Sequence, residues 1–397
     1  MLNRRHFLKN SALVSLAPIL PTFLSRAAAA ATGTNNDNGR ILVVIQLDGG
    51  NDGINTVIPF KDEGYAKHRD ELRLPEKDLI KLTDEFAFHP RLRSASKLFE
   101  EDRLSVVHGV GYPNPNRSHF ESMAIWHRGS TDVETRHSGN GWIGDAISMR
   151  GADAAPHAIH VGDEVLPIAL RGRRCTAVSI SSPADLRLKL EGLSIQSPAK
   201  TDALSLTDFV TRSTAEAFTS AKDLASTMNE DASASYPNSK LAKRLKLVGQ
   251  MIKSNAAARI YYTSQGGYDT HAVQLSAHGN LLGTFSSSLK AFMDDMQASG
   301  LEDRVMVMSF SEFGRRVKEN DSIGTDHGTA GPVFLAGTKL AKRFYGKMPS
   351  LLDLDGGDLK HTTDFRDLYA SIVTDWLELS GPATLRDYGM KSLLRTS

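Results

Sequence analysis

Short apolar runs alternate along the chain with polar turns that carry glycine. Ile41 to Leu47 (ILVVIQL), Leu104 to Val110 (LSVVHGV) and Val305 to Phe310 (VMVMSF) are nearly continuous apolar runs. Runs of that length, rich in β-branched residues, suit strands buried on both faces of a mostly parallel sheet. Arg259 to Thr263 (RIYYT) and Pro332 to Ala336 read as two further strands. Between them the period changes. From Leu275, apolar residues recur at Leu282, Phe285, Leu289, Phe292 and Met296, the stripe of an amphipathic helix. Phe120, Met123, Ala124 and His127 share helical spacing, which places Ser118 at or near a helix N-terminus. Leu368, Ile372, Trp376 and Leu377 mark a closing helix. Strands alternating with helices at this scale predict βαβ units and an α/β fold.

The middle of the chain has a different pattern. Residues 156–185 read as three short strands (AIHV, VLPIAL, CTAVSI), and residues 203–256 as two mainly polar helices split near Tyr236-Pro237. The stretch of about 150–256 is therefore expected to be an insertion or cap on a single domain spanning 32–397. Thr32 to Gly39, rich in Asn and Gly, reads as a linker into that domain.

The first 31 residues stand outside this pattern. Arg4-Arg5, then Phe7-Leu8-Lys9, an apolar run from Ala12 to Leu24, Arg26 and the alanines 27–31 form the n-region, h-region and small-residue end of a secretory signal. The arginine pair matches the twin-arginine type, which predicts passage through the twin-arginine translocase to the periplasm or the exterior. The apolar run of about 13 residues falls short of the roughly 20 needed to span a membrane, so no integral span is expected after cleavage. Removing Arg4, Arg5, Lys9 and Arg26 from the 47 basic residues leaves 43 against 46 acidic ones, so a net charge of +1 becomes −3. That balance argues against a nucleic-acid partner. The single cysteine, Cys175, excludes an intramolecular disulfide and a cysteine-built zinc site.

Position is what singles out the candidate site. Asp48, Ser118, Asp269, His271, Glu312, Asp326 and His327 all lie just beyond runs read as strands. Functional groups in open α/β sheets gather outside the carboxyl ends of the strands. The carboxylates and histidines of this set hold divalent cations through oxygen and imidazole ligands. A serine beside a helix N-terminus meets backbone N–H groups that favour an anion, and a neighbouring metal makes its hydroxyl a nucleophile. Together they describe metal-assisted attack on a phosphate or sulfate ester. Each residue also has a plainer role: Asn51-Asp52-Gly53 as turn chemistry, Ser118 as an N-cap with Glu121 completing a capping box, Glu312 as a partner of Arg315 or Arg316.

The segments LVVIQLDGGNDGINTVIP (42–59), NRSHFESMAIWHRG (116–129), GGYDTHAVQ (266–274), SEFGRRVKENDSIGTDHGTAGPVFLAG (311–337) and HTTDFRDLYASIVTDWL (361–377) resemble an exported bacterial family, domain of unknown function 1501. The resemblance covers essentially all of the chain beyond the signal. It implies a three-layer alkaline phosphatase/sulfatase-like fold, with a mostly parallel central sheet and helices on both faces. It further implies Ser118 as nucleophile, with His119 beside it in the catalytic role. Metals would be held by Asp48, Asp269, His271, Glu312 and His327, with Asp326 as a direct or outer ligand, and Asn51 and Arg117 would contact the anionic ester. In that superfamily an Asp-His pair usually ends the strand that here ends in Glu312-Phe313, so the carboxylate is kept and the histidine is missing. An alternative alignment puts the pair at Asp326-His327. One or two divalent ions (Zn, Mg or Ca) are expected. The function implied is an exported metal-dependent hydrolase of small or polymer-linked phosphate or sulfate esters. The alternative, motivated by the missing histidine, is a non-catalytic periplasmic binding or scaffold protein with the same fold. A metal-free serine hydrolase is a third reading, but the G-x-S-x-G elbow is absent.

Overall fold

The structure, a computed structural model, describes residues 39–132, 139–149, 158–173, 175, 177–182, 235–254 and 258–395. The segment expected to be an export signal and the first of the two polar helices expected in 203–256 lie outside the described residues. Among the described residues the central sheet has nine strands: β1 (Ile41–Asp48), β2 (Leu104–Gly111), β3 (Ala158–Val161), β4 (Ala177–Ile180), β5 (Ile260–Gly266), β6 (Val305–Phe310), β7 (Gly331–Ala336), β8 (Phe344–Tyr345) and β9 (Thr363–Asp364). Their order is β8-β2-β7-β6-β1-β5-β3-β4, with β9 also pairing with β2. Every pairing is parallel except those of β7, which runs antiparallel to both β2 and β6. The mostly parallel sheet predicted from the apolar runs is present, and β1, its central strand, shows why. All of Ile41–Leu47 is buried, and the pleat sends Ile41, Val43, Ile45 and Leu47 into one core and Leu42 and Val44 into the other.

Helices cover both faces. On the first lie α1 (Arg93–Glu100), α4 (Lys240–Lys253) and α5 (Gln274–Ala298); the apolar stripe predicted from Leu275 onward is buried against the sheet through Leu282, Phe285, Leu289, Phe292 and Met296. On the second lie α2 (His119–Arg128), α3 (Trp142–Ser148) and α6 (Phe365–Ser371), whose aromatic residues Trp126, Trp142, Phe365 and Tyr369 stack on one another. Among the described residues no helix is long and apolar enough to cross a membrane.

The stretch of 150–256 gives one correction. Of the three strands expected in 156–185, the first and last form as β3 and β4, but VLPIAL does not: Ile168–Leu170 is a 3-10 turn led by Pro167. Proline lacks the N–H that a ladder needs, and this apolar turn packs against α2 and α3 instead. β3 and β4 extend the edge of the main sheet, and α4 packs on α5.

Candidate metal centre

Four of the polar loops leave the sheet at one edge. Asp48 is the last residue of β1, Asp269 follows β5, Glu312 follows β6, and His119 opens the helix after β2. His327 comes just before β7, and because β7 is antiparallel its start lies at the same edge as the ends of its parallel neighbours. The turn after β1 is pressed against the next loop: Gly49 has φ +117°, and a Cβ there would lie 2.5 Å from the Asp269 nitrogen. Only glycine fits both the conformation and the approach. The loop 314–316 is zipped to 326–329 by backbone bonds from Gly314 N to Thr329 O (2.7 Å), Gly328 N to Gly314 O (2.9 Å) and Arg316 N to Asp326 O (3.0 Å).

Three histidines converge on one carboxylate. The Nε2 atoms of His271, His327 and His119 lie 2.9, 3.1 and 3.5 Å from Asp269 oxygens, and those of His271 and His327 lie 2.9 Å from each other. One ligand atom each from His119, Asp269 and His327 lies within 4.8 Å of the others. Each ring is anchored through its other nitrogen. His119 Nδ1 donates to Glu312 (2.8 Å), His271 Nδ1 to Asp326 (3.3 Å) and His327 Nδ1 to the Arg117 carbonyl (2.8 Å). A carbonyl or an ionised carboxylate only accepts, so all three Nδ1 atoms carry the hydrogen in the neutral ring. The three Nε2 lone pairs then face the two oxygens of one carboxylate, His271 and His327 at Oδ1 and His119 at Oδ2, which are themselves acceptors. Four acceptor groups facing one another repel unless a cation or protons stand among them.

Of the supporting carboxylates only Glu312 is buried; Asp326 and Asp48 are exposed. Glu312 is fully buried and accepts from Gly49 N at 3.0 and 3.3 Å and from Ser311 Oγ at 3.1 Å. Its hydrogen bond raises the His119 pKa against the opposing effect of desolvation. Asp326 is held low by the Asn320 amide first and by His271 after it. Partial burial pushes Asp269 up, but the Arg315 guanidinium first and the neighbouring His327 ring second outweigh it and bring the carboxyl to about 2. Asp48 is raised, by desolvation first and by Glu312 second, and takes a 3.3 Å bond from the Gln46 amide.

The remaining predicted residues divide into two groups. Ser118 is exposed and its hydroxyl does not cap α2; the Asn116 side chain accepts from the Ser118 N–H instead (2.8 Å). Both its chain neighbours reach the cluster, Arg117 through its carbonyl and His119 through Nε2. The Arg117 guanidinium is ion-paired with Asp358. Asn51 is 2% exposed, and its side-chain oxygen accepts from Thr56 Oγ1 (3.1 Å) and His278 Nε2 (2.9 Å), so it is enclosed beneath the turn rather than facing the cluster.

Sequence reasoning missed Arg315. Its buried guanidinium donates to Gly50 O (2.6 Å), Thr325 O (2.8 Å), Tyr268 O (3.0 Å), the Gly49 carbonyl and Asp269 Oδ1 (2.7 Å), joining three loops under the cluster. The only sequence signal was an arginine three residues after a candidate carboxylate. Two β-branched residues beside the cluster hold left-handed backbone, Val273 (φ 45°) and Ile323 (φ 56°). Such strain costs of order 1–3 kcal/mol per residue. Val273 N to Ser322 O (3.0 Å) and Gln274 N to Ile323 O (2.9 Å) tie the two loops together there.

Several solved structures resemble this chain at low identity. The C-terminal periplasmic domain of EcEptC from Escherichia coli, in complex with zinc, is 10% identical, with a TM-score of 0.43 over 87% of this chain and 84% of that one. A protein of the alkaline phosphatase superfamily from Vibrio parahaemolyticus is 8% identical, with a TM-score of 0.40 over 92% and 77%. Murine ectonucleotide pyrophosphatase/phosphodiesterase 5, an inactive form in complex with AMP, is 10% identical, with a TM-score of 0.37 over 90% and 100%. No curated protein matches the sequence. A family profile does match, over residues 40–376, and the chain belongs to that family, described as protein of unknown function (DUF1501).

Proposed function

We propose that the protein is an exported, metal-dependent hydrolase of phosphate or sulfate esters. The observation that carries this reading is the convergence of three Nε2 lone pairs on Asp269, each ring anchored through Nδ1 to an acceptor. Metal-bound histidines are oriented in the same way by carboxylates and carbonyls behind them. The spacing supports it: one donor atom each from His119, Asp269 and His327 lies within 4.8 Å of the others, and His271 Nε2 stands 2.9 Å from Asp269 at the side of that group. Imidazole-rich donor sets of this kind favour zinc or a similar transition ion over magnesium or calcium.

On this reading Asp269, His271, His327 and His119 are the ligands. Glu312, expected from the sequence to bind metal, instead orients His119, and Asp326, expected as a direct or outer ligand, takes the outer role by orienting His271. Asp48 remains at the rim as a further acidic group. The cation would polarise the ester oxygen and stabilise the charge that develops there. Ser118 Oγ would attack the phosphorus or sulfur and give its proton to solvent, the ester O–P or O–S bond would break with the leaving oxygen taking a proton from water, and a water molecule would then cleave the serine ester, releasing phosphate or sulfate and returning a proton to the Ser118 oxygen. The Arg117 carbonyl and the His119 ring fix the backbone on both sides of Ser118 against the cluster. The strained turns at Val273 and Ile323 keep the His271 and Asp326 loops in register.

The scaffold alternative rested on the missing histidine after Glu312. In space His119 stands beside Glu312, at 2.8 Å, which removes that motive. The test is purification of the exported chain, metal analysis, and assay on aryl phosphates and aryl sulfates. About one bound ion per chain and loss of turnover in Ser118→Ala are expected. Absence of bound metal, or full activity in that variant, refutes the mechanism.

A further inference from the structure

A groove of about 520 Å³ opens directly beside the cluster. Asp48, His119 and Asp269 line it, and so, continuing along α2 from His119, do Phe120, Met123 and Ala124, with Ile168 beside them. Phe120 is 88% exposed although its neighbour His119 is fixed on Glu312. One exposed ring is ordinary, but Phe120, Met123, Ala124 and Ile168 together line a single groove with apolar surface, and contiguous apolar surface in a groove is a feature of ligand sites. The groove also receives His127, but burial pushes that ring down to about 3, so it stays uncharged and adds no ionic recognition. Gly49 and Gly267 also line the groove and contribute no side chain.

We infer that the groove is the subsite for an apolar organic group, an aryl or alkyl substituent, carried by the anionic ester whose charged end sits at the cluster. This deepens the hydrolase reading and rests on it. The argument is the polarity gradient. A sugar or a peptide would bury hydroxyls or amides against Phe120, Met123 and Ile168 without partners, at a cost that an aromatic ring or alkyl chain avoids. The volume suits a group of two fused rings, and Met123 adapts to the edge of an aromatic guest.

The test separates binding from turnover. Zinc-loaded protein is titrated calorimetrically with methylphosphonate, with 1-naphthylmethylphosphonate and with galactose 6-sulfate. The naphthyl compound should bind about 10- to 100-fold more tightly than methylphosphonate, the gain for burying a group of that size. Phe120→Ser, on the exposed ring, and Ala124→Trp, which fills the groove, should each remove most of that gain. Equal affinity for the two phosphonates overturns the inference while the hydrolase reading stands. Tighter binding of galactose 6-sulfate than of the naphthyl compound also overturns it. A naphthyl preference that Ala124→Trp abolishes, in a protein that hydrolyses no ester, upholds the subsite and refutes the hydrolase.

Discussion

Replacing Arg315 by methionine should loosen the site and the fold together. The guanidinium is 1% exposed and satisfies four backbone carbonyls and the Asp269 carboxylate. Methionine keeps much of the volume and none of the donors. Each buried acceptor left without a partner costs about 1–3 kcal/mol, though losses within one network do not add. Removing one member of a buried charged pair costs about 3–5 kcal/mol. Asp269 is partly exposed, so water recovers some of its share. The expected loss is therefore about 3–5 kcal/mol, read from urea unfolding as a lower midpoint at unchanged slope. A second readout tests the site itself. Arg315 is the first of the groups that lower the Asp269 pKa, so its removal raises that pKa. Metal binding needs the carboxylate, so the pH at which affinity is half-lost should move upward in the variant. Arg315→Lys should rescue little, because an ammonium cannot reproduce the fork that reaches three loops at once. A loss below about 1 kcal/mol with an unshifted metal–pH profile would show that the hub is not what holds these loops.

Three further outcomes are expected. Zinc at about 100 times its Kd should stabilise the protein by about 2.7 kcal/mol and chelator should reverse it, with protons released on binding, measured by calorimetry in buffers of different ionisation enthalpy; no shift in melting temperature with either reagent contradicts the metal centre. Ser118→Ala should lower kcat by several orders of magnitude while stability stays within about 0.5 kcal/mol, since the hydroxyl caps nothing; a stability loss above about 1 kcal/mol would point to a structural serine. Acid should weaken the fold through Asp52, where burial raises the pKa but Arg69 outweighs it and holds the carboxyl at about 2. Its stabilisation is complete above the unfolded value of about 3.9 and is lost as pH falls through about 2, so Asp52→Asn should flatten stability over that window; an unchanged acid limb counts against the pair.

The fold was legible where burial was two-sided. ILVVIQL and VMVMSF read as central strands because no helix of a surface layer is apolar at every position, and both form in the middle of the sheet. The stripe from Leu275 read as a helix because one face of α5 is buried along its length. VLPIAL misled for the same reason: an apolar run of six has no periodicity to distinguish a strand from a packed turn, and Pro167 decided it. The direction of β7 was not readable either. An apolar run carries no sign, and whether it pairs parallel or antiparallel is set by the loop that delivers it.

That direction is what makes the site intelligible. Because β7 is antiparallel, the loop before it meets the loops that follow its parallel neighbours, so His327 reaches Asp269 across 58 residues of sequence. The sequence placed these residues at strand ends, which is a statement about position, but it held no information about where each ring nitrogen points. Read by chain order, Glu312 lacked its histidine. Read in space, the partner comes from the start of α2, 193 residues earlier, and brings Ser118 with it. On the proposed metal-centre reading, a histidine supplied by another loop completes the donor set although no histidine follows Glu312 in the chain. A sequence pattern that demands an adjacent carboxylate and imidazole therefore passes over this arrangement, whereas the grouping of His119, Asp269 and His327 in space displays it.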